Sequence, residues 1–308
     1  MKLPDTFVSI ADVCDVSLVT SPGGKTRAPD LLFELPHGAT SGRQFDNIRA
    51  RLCGDLPEDL RLFFYVNTDV GAPELAEQTA KRLANPSDHS SDGRPRSVLI
   101  VRSLLPRTFV DCNRRLEGDE PRGDLTLAIP EYVRDDEDIA TLRALHRSYQ
   151  DVAERAYEWV CGRGGLAVML HTYAPKSVQI DRVDDGIVAA LQRAYEPDRY
   201  ESWPDRPEID VIGEAVDGVP LAPAGLVTAL RERFAQIGID VTESVTYKLH
   251  PTTTAYHHSV AYPGRAICIE FSRALLADPF TPFEEMSIGP SKVASLAAPL
   301  AAAILDHH

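Results

Sequence analysis

Three short apolar runs each stop at a side chain able to hold a metal ion. Residues 31–35 end at Pro36-His37-Gly38, residues 61–66 at Asn67-Thr68-Asp69, and residues 166–170 at His171. Short apolar runs bounded by turn residues predict buried strands, and open α/β sheets bind ligands at the carboxyl ends of their strands. Two imidazoles and a carboxylate with an open fourth position make the donor set of a hydrolytic zinc site. Two of these residues also have a plainer role. His37 can close a strand end as an ordinary polar side chain, and Asp69 can serve the N-terminus of the helix predicted over residues 73–83. Glu74 and Glu34 are the other acids in reach of the pattern, although strand alternation puts Glu34 on the face opposite His37.

Two further features could do chemistry on a substrate held beside such a metal. The stretch Arg107-Thr108-Phe109-Val110-Asp111-Cys112-Asn113-Arg114-Arg115 sets cations and an amide around a short apolar centre. Arginine grips carboxylates bidentately and stabilises a developing oxyanion, while the commoner fate of an Arg-rich run is a solvated surface cluster. In Ala266-Ile267-Cys268-Ile269-Glu270-Phe271 a single carboxylate interrupts an apolar strand. A buried, unpaired glutamate is costly, so Glu270 is to be paired, protonated or functional, and it is the best lone candidate for a general base. His250, His257 and His258 precede that strand, and one of them could reach the site. His146 reads as a boundary histidine on a helix and His89 as a loop residue. The last three residues, Asp306-His307-His308, are left out of site reasoning.

The elements that must position these groups alternate along the chain. Strands are predicted over 31–35, 61–66, 98–101, 166–170, 209–212, 242–247 and 266–271, after β-rich pieces within 7–20. Helices are predicted from 41 to about 54 and over 73–83, 136–160, 186–195, 224–237 and 292–305. The long one shows Ile139, Leu142, Leu145, Tyr149, Val152, Ala156 and Trp159 at three- and four-residue spacing, which defines a buried face. Residues 116–130 are charged and rich in turn formers, as expected of a rim or lid, and 197–207 reads as a loop. This alternation implies an α/β three-layer sandwich with a mixed, largely parallel sheet, with residues 1–308 forming one domain.

Composition sets limits. The chain has 308 residues, 44% hydrophobic and 25% charged, with a net charge of −14, a balance that disfavours a nucleic-acid partner held by counterion release. No apolar run reaches the length of a membrane span, and no secretory signal is visible at Met1-Lys2-Leu3. Five scattered cysteines without a CxxC pair fit reduced thiols and a cytoplasmic setting.

Pro36-His37-Gly38, Asn67-Thr68-Asp69, Arg107 through Asp111-Cys112-Asn113-Arg114, His171-Thr172-Tyr173 and Ile269-Glu270 occur in that order. Together they resemble the N-formylglutamate amidohydrolase family, which is related in architecture to the zinc carboxypeptidases. The resemblance runs from about Leu31 to Leu275, with Asp-x-Asn-Arg and Pro-His-Gly its most specific parts. It implies a phosphorylase/hydrolase-like fold and zinc-dependent hydrolysis of an amide in a small carboxylated substrate. His37, Asp69 and His171 then look like metal ligands, Arg107 and Asn113-Arg114 like carbonyl- and carboxylate-binding groups, and Glu270 like the base. Gly38 stands where that family usually carries serine. The remaining alternatives are a carboxypeptidase-like metallopeptidase and a non-catalytic relative that binds a small anion.

Overall fold

The computed structural model describes residues 7–21, 28–85, 94–116, 127–180 and 182–307. Its strands are Cys14–Val19 (β1), Leu31–Leu35 (β2), Val98–Ser103 (β3), Leu166–Tyr173 (β4), Ile209–Ile212 (β5), Val241–Glu243 (β6) and Ala266–Ser272 (β7). Its helices are Gly42–Arg49 (α1), Leu60–Asn67 (α2), Ala72–Ala84 (α3), Asp136–Val160 (α4), Ile187–Ala194 (α5), Pro197–Ser202 (α6), Ala224–Ala235 (α7), Thr254–Ala261 (α8) and Pro290–His307 (α9). The strands form one sheet in the order β1-β3-β2-β4-β7-β5-β6. β3, β2, β4 and β7 run parallel, β1 and β5 lie antiparallel to β3 and β7, and β6 is parallel to β5. The fold is therefore the expected mixed, largely parallel three-layer sandwich.

The central strands are buried on both faces, which is why they read as near-continuous apolar runs. Leu31, Phe33 and Leu35 of β2 pack in one cluster with Leu75 of α3, Leu230 of α7 and Leu296 of α9. Leu32, pointing the other way, joins Leu142, Val152 and Ala156 of α4. α4 begins where Asp135 accepts hydrogen bonds from the backbone of Glu137 at 2.9 Å and Asp138 at 3.0 Å, an N-cap reinforced by acids in the first turn. Among the described residues no helix is long and apolar enough to cross a membrane.

Four expectations need correction. Residues 61–66 are not a strand: they belong to α2, with Leu60, Phe63 and Phe64 buried at helical spacing while Arg61 faces solvent. The expected strand at 242–247 stops at Glu243, because Asp210 accepts hydrogen bonds from the backbone of Thr246 at 2.7 Å and Val245 at 3.3 Å and draws the chain out of the ladder. Residues 254–261, assigned to no element from the sequence, are α8, capped by the Thr253 hydroxyl accepting from Tyr256 N at 3.2 Å. Within 197–207, Pro197 opens the short helix α6. Of the expected rim at 116–130, residues 117–126 lie outside the described residues.

Candidate metal centre and active site

His37 sits in the turn that closes β2. Gly38 N donates to Leu35 O at 3.1 Å, and Arg102 of β3 reaches across to donate its Nε–H to Gly38 O at 2.7 Å. A Cβ on Gly38 would lie 2.5 Å from Arg102 Cγ and 3.0 Å from Ser103 O, so the close approach of β3 accounts for glycine here. His171 is not a strand-end residue. β4 continues to Tyr173, and His171 pairs in register with Glu270 of β7, so the two side chains stand together on one face of the sheet. Asp69 comes from the turn between α2 and α3 rather than from a strand end. The Thr68 hydroxyl donates to Ala39 O at 2.5 Å and the Thr172 hydroxyl to Val70 O at 2.9 Å, tying that turn to both histidine-bearing segments. Gly71, at φ +87°, ends the turn with no room for a side chain: a Cβ would meet Leu276 at 2.8 Å.

The three side chains converge. His171 Nδ1 lies 2.8 Å from Asp69 Oδ2 and 3.2 Å from His37 Nδ1, and His37 Nδ1 lies 3.4 Å from Asp69 Oδ2. Each residue is 4% exposed or less. Metal–ligand bonds of about 2.0–2.1 Å in tetrahedral geometry separate donor atoms by about 3.3 Å, so small outward shifts would seat one ion. Among the described residues this is the fully buried cluster with metal-ligand chemistry; Cys53, Asp135 and Asp138 also approach one another, but Cys53 and Asp135 are exposed. There Asp138 is already occupied by the backbone N–H groups of Cys53 and Gly54.

The outer partners are suited to the same role. His37 donates its Nε2–H to Asp111 Oδ1 at 2.7 Å, which turns its Nδ1 lone pair toward Asp69 and His171. Asp111 is held in turn by Arg107 Nε at 3.1 Å and by Asn113 N at 2.8 Å. Burial opposes a charge on Asp111, but His37 and Arg107 outweigh it and hold the carboxyl well below the usual range. Burial likewise opposes charge on Asp69, and His37 and His171 overcome it. Burial lowers the basicity of His37, while Asp111 more than restores it. Arg273, buried beneath the site, donates to Thr172 O at 3.1 Å and to Val66 O, and approaches Asp69 Oδ1 at 3.8 Å.

These donors open into a cavity of about 580 Å3 whose lining includes Arg107, Asn113, Arg114 and Glu270. All seven sequence-designated residues thus meet at one place. Asn113 Nδ2 lies 3.4 Å from His171 Nε2, and its Oδ1 accepts from the Thr254 hydroxyl at 2.9 Å, fixing the amide. Glu270 Oε2 is buried with no hydrogen-bond partner among the described residues. Burial pushes the Glu270 carboxyl up to about 7, against the pull of His171, Arg206 and Arg107.

The other candidates fall elsewhere. Glu74 is exposed on α3. Glu34 is excluded, but not by the alternation expected from the sequence: it is in register with Met169, two residues before His171, so it shares the sheet face of His171 and lies one pleat deeper. There it accepts the Tyr149 hydroxyl at 2.9 Å. His250 lines the cavity, whereas His257 and His258 do not; His258 stacks on Tyr157 with centroids 3.6 Å apart. His146 bonds Arg114 O at 2.9 Å. Sequence reasoning gave no separate role to Asp111, Arg102, Arg206 or Arg273. The Asp-x-Asn-Arg motif carried a signal for Asp111. Arg206, whose guanidinium lies 5.2 Å from the Tyr173 ring and 5.4 Å from the Tyr247 ring, had none.

No protein-family profile matches the chain, and no curated protein matches it in sequence. Solved structures do. The crystal structure of N-formylglutamate amidohydrolase from Ralstonia eutropha superposes with a TM-score of 0.55 at 18% identity, covering 94% of this chain and 95% of the other. A gene product of Agrobacterium tumefaciens gives 0.53 at 16% identity, over 97% and 96% of the two chains. The chain shares their fold. That agrees with the architecture implied by the motifs, over nearly the whole length of all three chains.

Proposed function

We propose that the protein is a zinc-dependent amidohydrolase acting on a small carboxylated amide of the N-acyl-amino-acid type. The observation that carries this reading is the convergence of His37, Asp69 and His171, all buried, at the floor of a cavity that also presents Glu270. The fold shared with an N-formylglutamate amidohydrolase supports it. His37 Nδ1, His171 Nδ1 and Asp69 Oδ2 would hold the ion. When bound, zinc supplies Lewis acidity that polarises a carbonyl and acidifies water.

The chain's own residues do the rest. Glu270, in its ionised form, takes a proton from the attacking water and delivers it to the leaving nitrogen as the C–N bond breaks. The products are a carboxylate and a free amine. Arg107, fixed by Asp111, faces the oxyanion that develops on the former carbonyl oxygen. Arg114 pairs with the substrate carboxylate, and Asn113 adds an amide oriented by Thr254. Asp111 keeps the His37 ring in one orientation throughout.

Metal analysis and turnover test the reading together. Purified protein is expected to carry about one zinc per chain and to hydrolyse N-acyl amino acids, and His37→Ala is expected to lose both properties. Metal-free protein, with hydrolysis unchanged in His37→Ala, would overturn it.

A further inference from the structure

Beneath the side chains that form the site lies a second layer on the same face of the sheet. In the upper layer His171 pairs in register with Glu270, and Asp210 of β5 stands opposite Glu270. Two residues deeper, Cys268 of β7 pairs with Met169 of β4 and with Ile212 of β5, and residues two apart on a strand point to one face. Ile212 and Cys268 of this deeper layer line the cavity, whereas Met169 does not. Leu249 and Ala255 line it beside them; the four belong to one apolar cluster, and each is 5% exposed or less. A buried, reduced cysteine packs as a small apolar group. The cavity therefore continues past Glu270 into an apolar lobe on the β5 side. Polar side chains next to the lobe are engaged with other partners: Lys248 with Glu214, His250 Nδ1 with the Thr252 hydroxyl at 2.9 Å, and the Thr253 hydroxyl with Tyr256 N at 3.2 Å.

The lobe shares a wall with the residues that would hold the substrate carboxylate. Asn113 Oδ1 accepts from the Thr254 hydroxyl at 2.9 Å and from Ala255 N at 3.3 Å, Thr254 N donates to Asn113 O at 3.3 Å, and Arg114 forms a β-bridge with Thr253. These bonds stitch the start of α8 to Asn113 and Arg114, so Ala255 is fixed next to them. In an N-acyl amino acid one carbon carries the carboxylate, the scissile nitrogen and the side chain. With the carboxylate at Arg114 and the nitrogen at Glu270, that carbon lies between the two residues. The lobe opens there, with Ala255 on the Arg114 side and Cys268 directly below Glu270.

We infer that the amino acid released by the reaction carries an apolar side chain of about leucine size, seated against Ile212, Leu249, Ala255 and Cys268. Glycine would leave the lobe filled with water, and a side-chain carboxylate would enter it at the cost of its own hydration. The inference rests on the amidohydrolase reading, and its test separates the two.

The experiment compares kcat/KM of the zinc-loaded protein for N-acetyl-L-leucine, N-acetylglycine and N-acetyl-L-glutamate. The leucine compound is expected to exceed the glycine compound on the order of a hundredfold, since each buried methylene is worth about fourfold. It is expected to exceed the glutamate compound at least about tenfold. Ala255→Leu, which fills the lobe from α8 with a residue that suits a helix, is expected to cut the leucine-to-glycine ratio at least about tenfold, with thermal melting confirming the fold. A leucine advantage below about tenfold over either competitor in the native protein, or an unchanged ratio in folded Ala255→Leu, overturns the apolar lobe as a subsite and leaves the amidohydrolase reading standing. If none of the three compounds turns over, the amidohydrolase reading fails. Calorimetry on the native protein then decides the lobe: it stands if N-acetyl-L-leucine binds at least about tenfold tighter than N-acetylglycine, and falls if it does not.

Discussion

Glu34 and Glu270 are the same residue in nearly the same sequence setting, a lone carboxylate in an apolar strand. They stand on the same face of the sheet, Glu34 in β2 and Glu270 in β7. Burial raises the pKa of both. What separates them is one pleat of depth and the neighbours that come with it. Glu34 faces the tyrosines of α4, with Tyr149 donating at 2.9 Å, and is fully buried. Glu270 faces a cavity, with His171 beside it and arginines across from it. Burial by itself makes a carboxyl weakly acidic; an opening and nearby cations make it a base that water can reach.

The strongest way to break this comparison is to neutralise each glutamate in turn. Glu270→Gln is expected to lower kcat/KM for N-acyl amino acids by about 10²–10⁴ with zinc content unchanged, the range for loss of a general base. Glu34→Gln is expected to stay within about threefold of native activity, because its carboxyl touches neither substrate nor ligand atoms. Equal losses in the two variants would show that the contrast of neighbours has no functional meaning.

Asp111 extends the comparison to a carboxylate flanked by cations. It is as buried as Glu34, but His37 and Arg107 keep it ionised. Asp111→Asn preserves the shape and removes the charge that supports His37. Zinc affinity, read by competition with a chelator, is expected to fall by about 10–100-fold, and an unchanged affinity would reduce Asp111 to a structural contact. Tyr149→Phe probes the opposite case. It strips the hydroxyl from Glu34 in a sealed environment, and an expected loss of about 1–3 kcal/mol in denaturant unfolding, with zinc binding retained, marks that partnership as one of stability alone.

What the sequence displayed follows the same division. β2, β3, β4, β5 and β7 were legible because doubly buried strands leave continuous apolar runs, and α4 because 25 residues hold one period. α2 was not, since eight residues that include Leu60, Phe63, Phe64 and Val66 fit either period at that length. The run before Asp69 is a helix and not the expected strand, and the support of Asp69 is a turn fixed by Thr68, Thr172 and Gly71. Glu270 stood out as a lone acid in an apolar strand, but Glu34 gives the same signal. The residue that distinguishes Glu34, Tyr149, is 115 positions away. Asp111 acts on His37 across 74 positions, a distance at which only its Asp-x-Asn-Arg context gave a hint.

The smallest effect tests the physical basis of the comparison. The Glu34 carboxyl is raised mainly by burial, with Tyr157 and Tyr149 offsetting part of the shift, while in the unfolded chain it titrates near about 4.3. Below that value both states hold the proton and Glu34 costs nothing. As pH rises past it, the unfolded state releases the proton while the folded state retains it, so stability falls with pH until the folded group also ionises. Glutamine has no proton to lose. The melting temperature of Glu34→Gln minus that of the native protein is therefore expected to be small and flat below about pH 4 and to grow as pH rises above it, each unit of separation between the two pKa values contributing about 1.4 kcal/mol. Other titrating groups are common to both proteins and cancel in the difference. A difference that stays constant with pH would mean that Glu34 is charged in the folded state, and that the tyrosines compensate its burial as fully as cations do for Asp111.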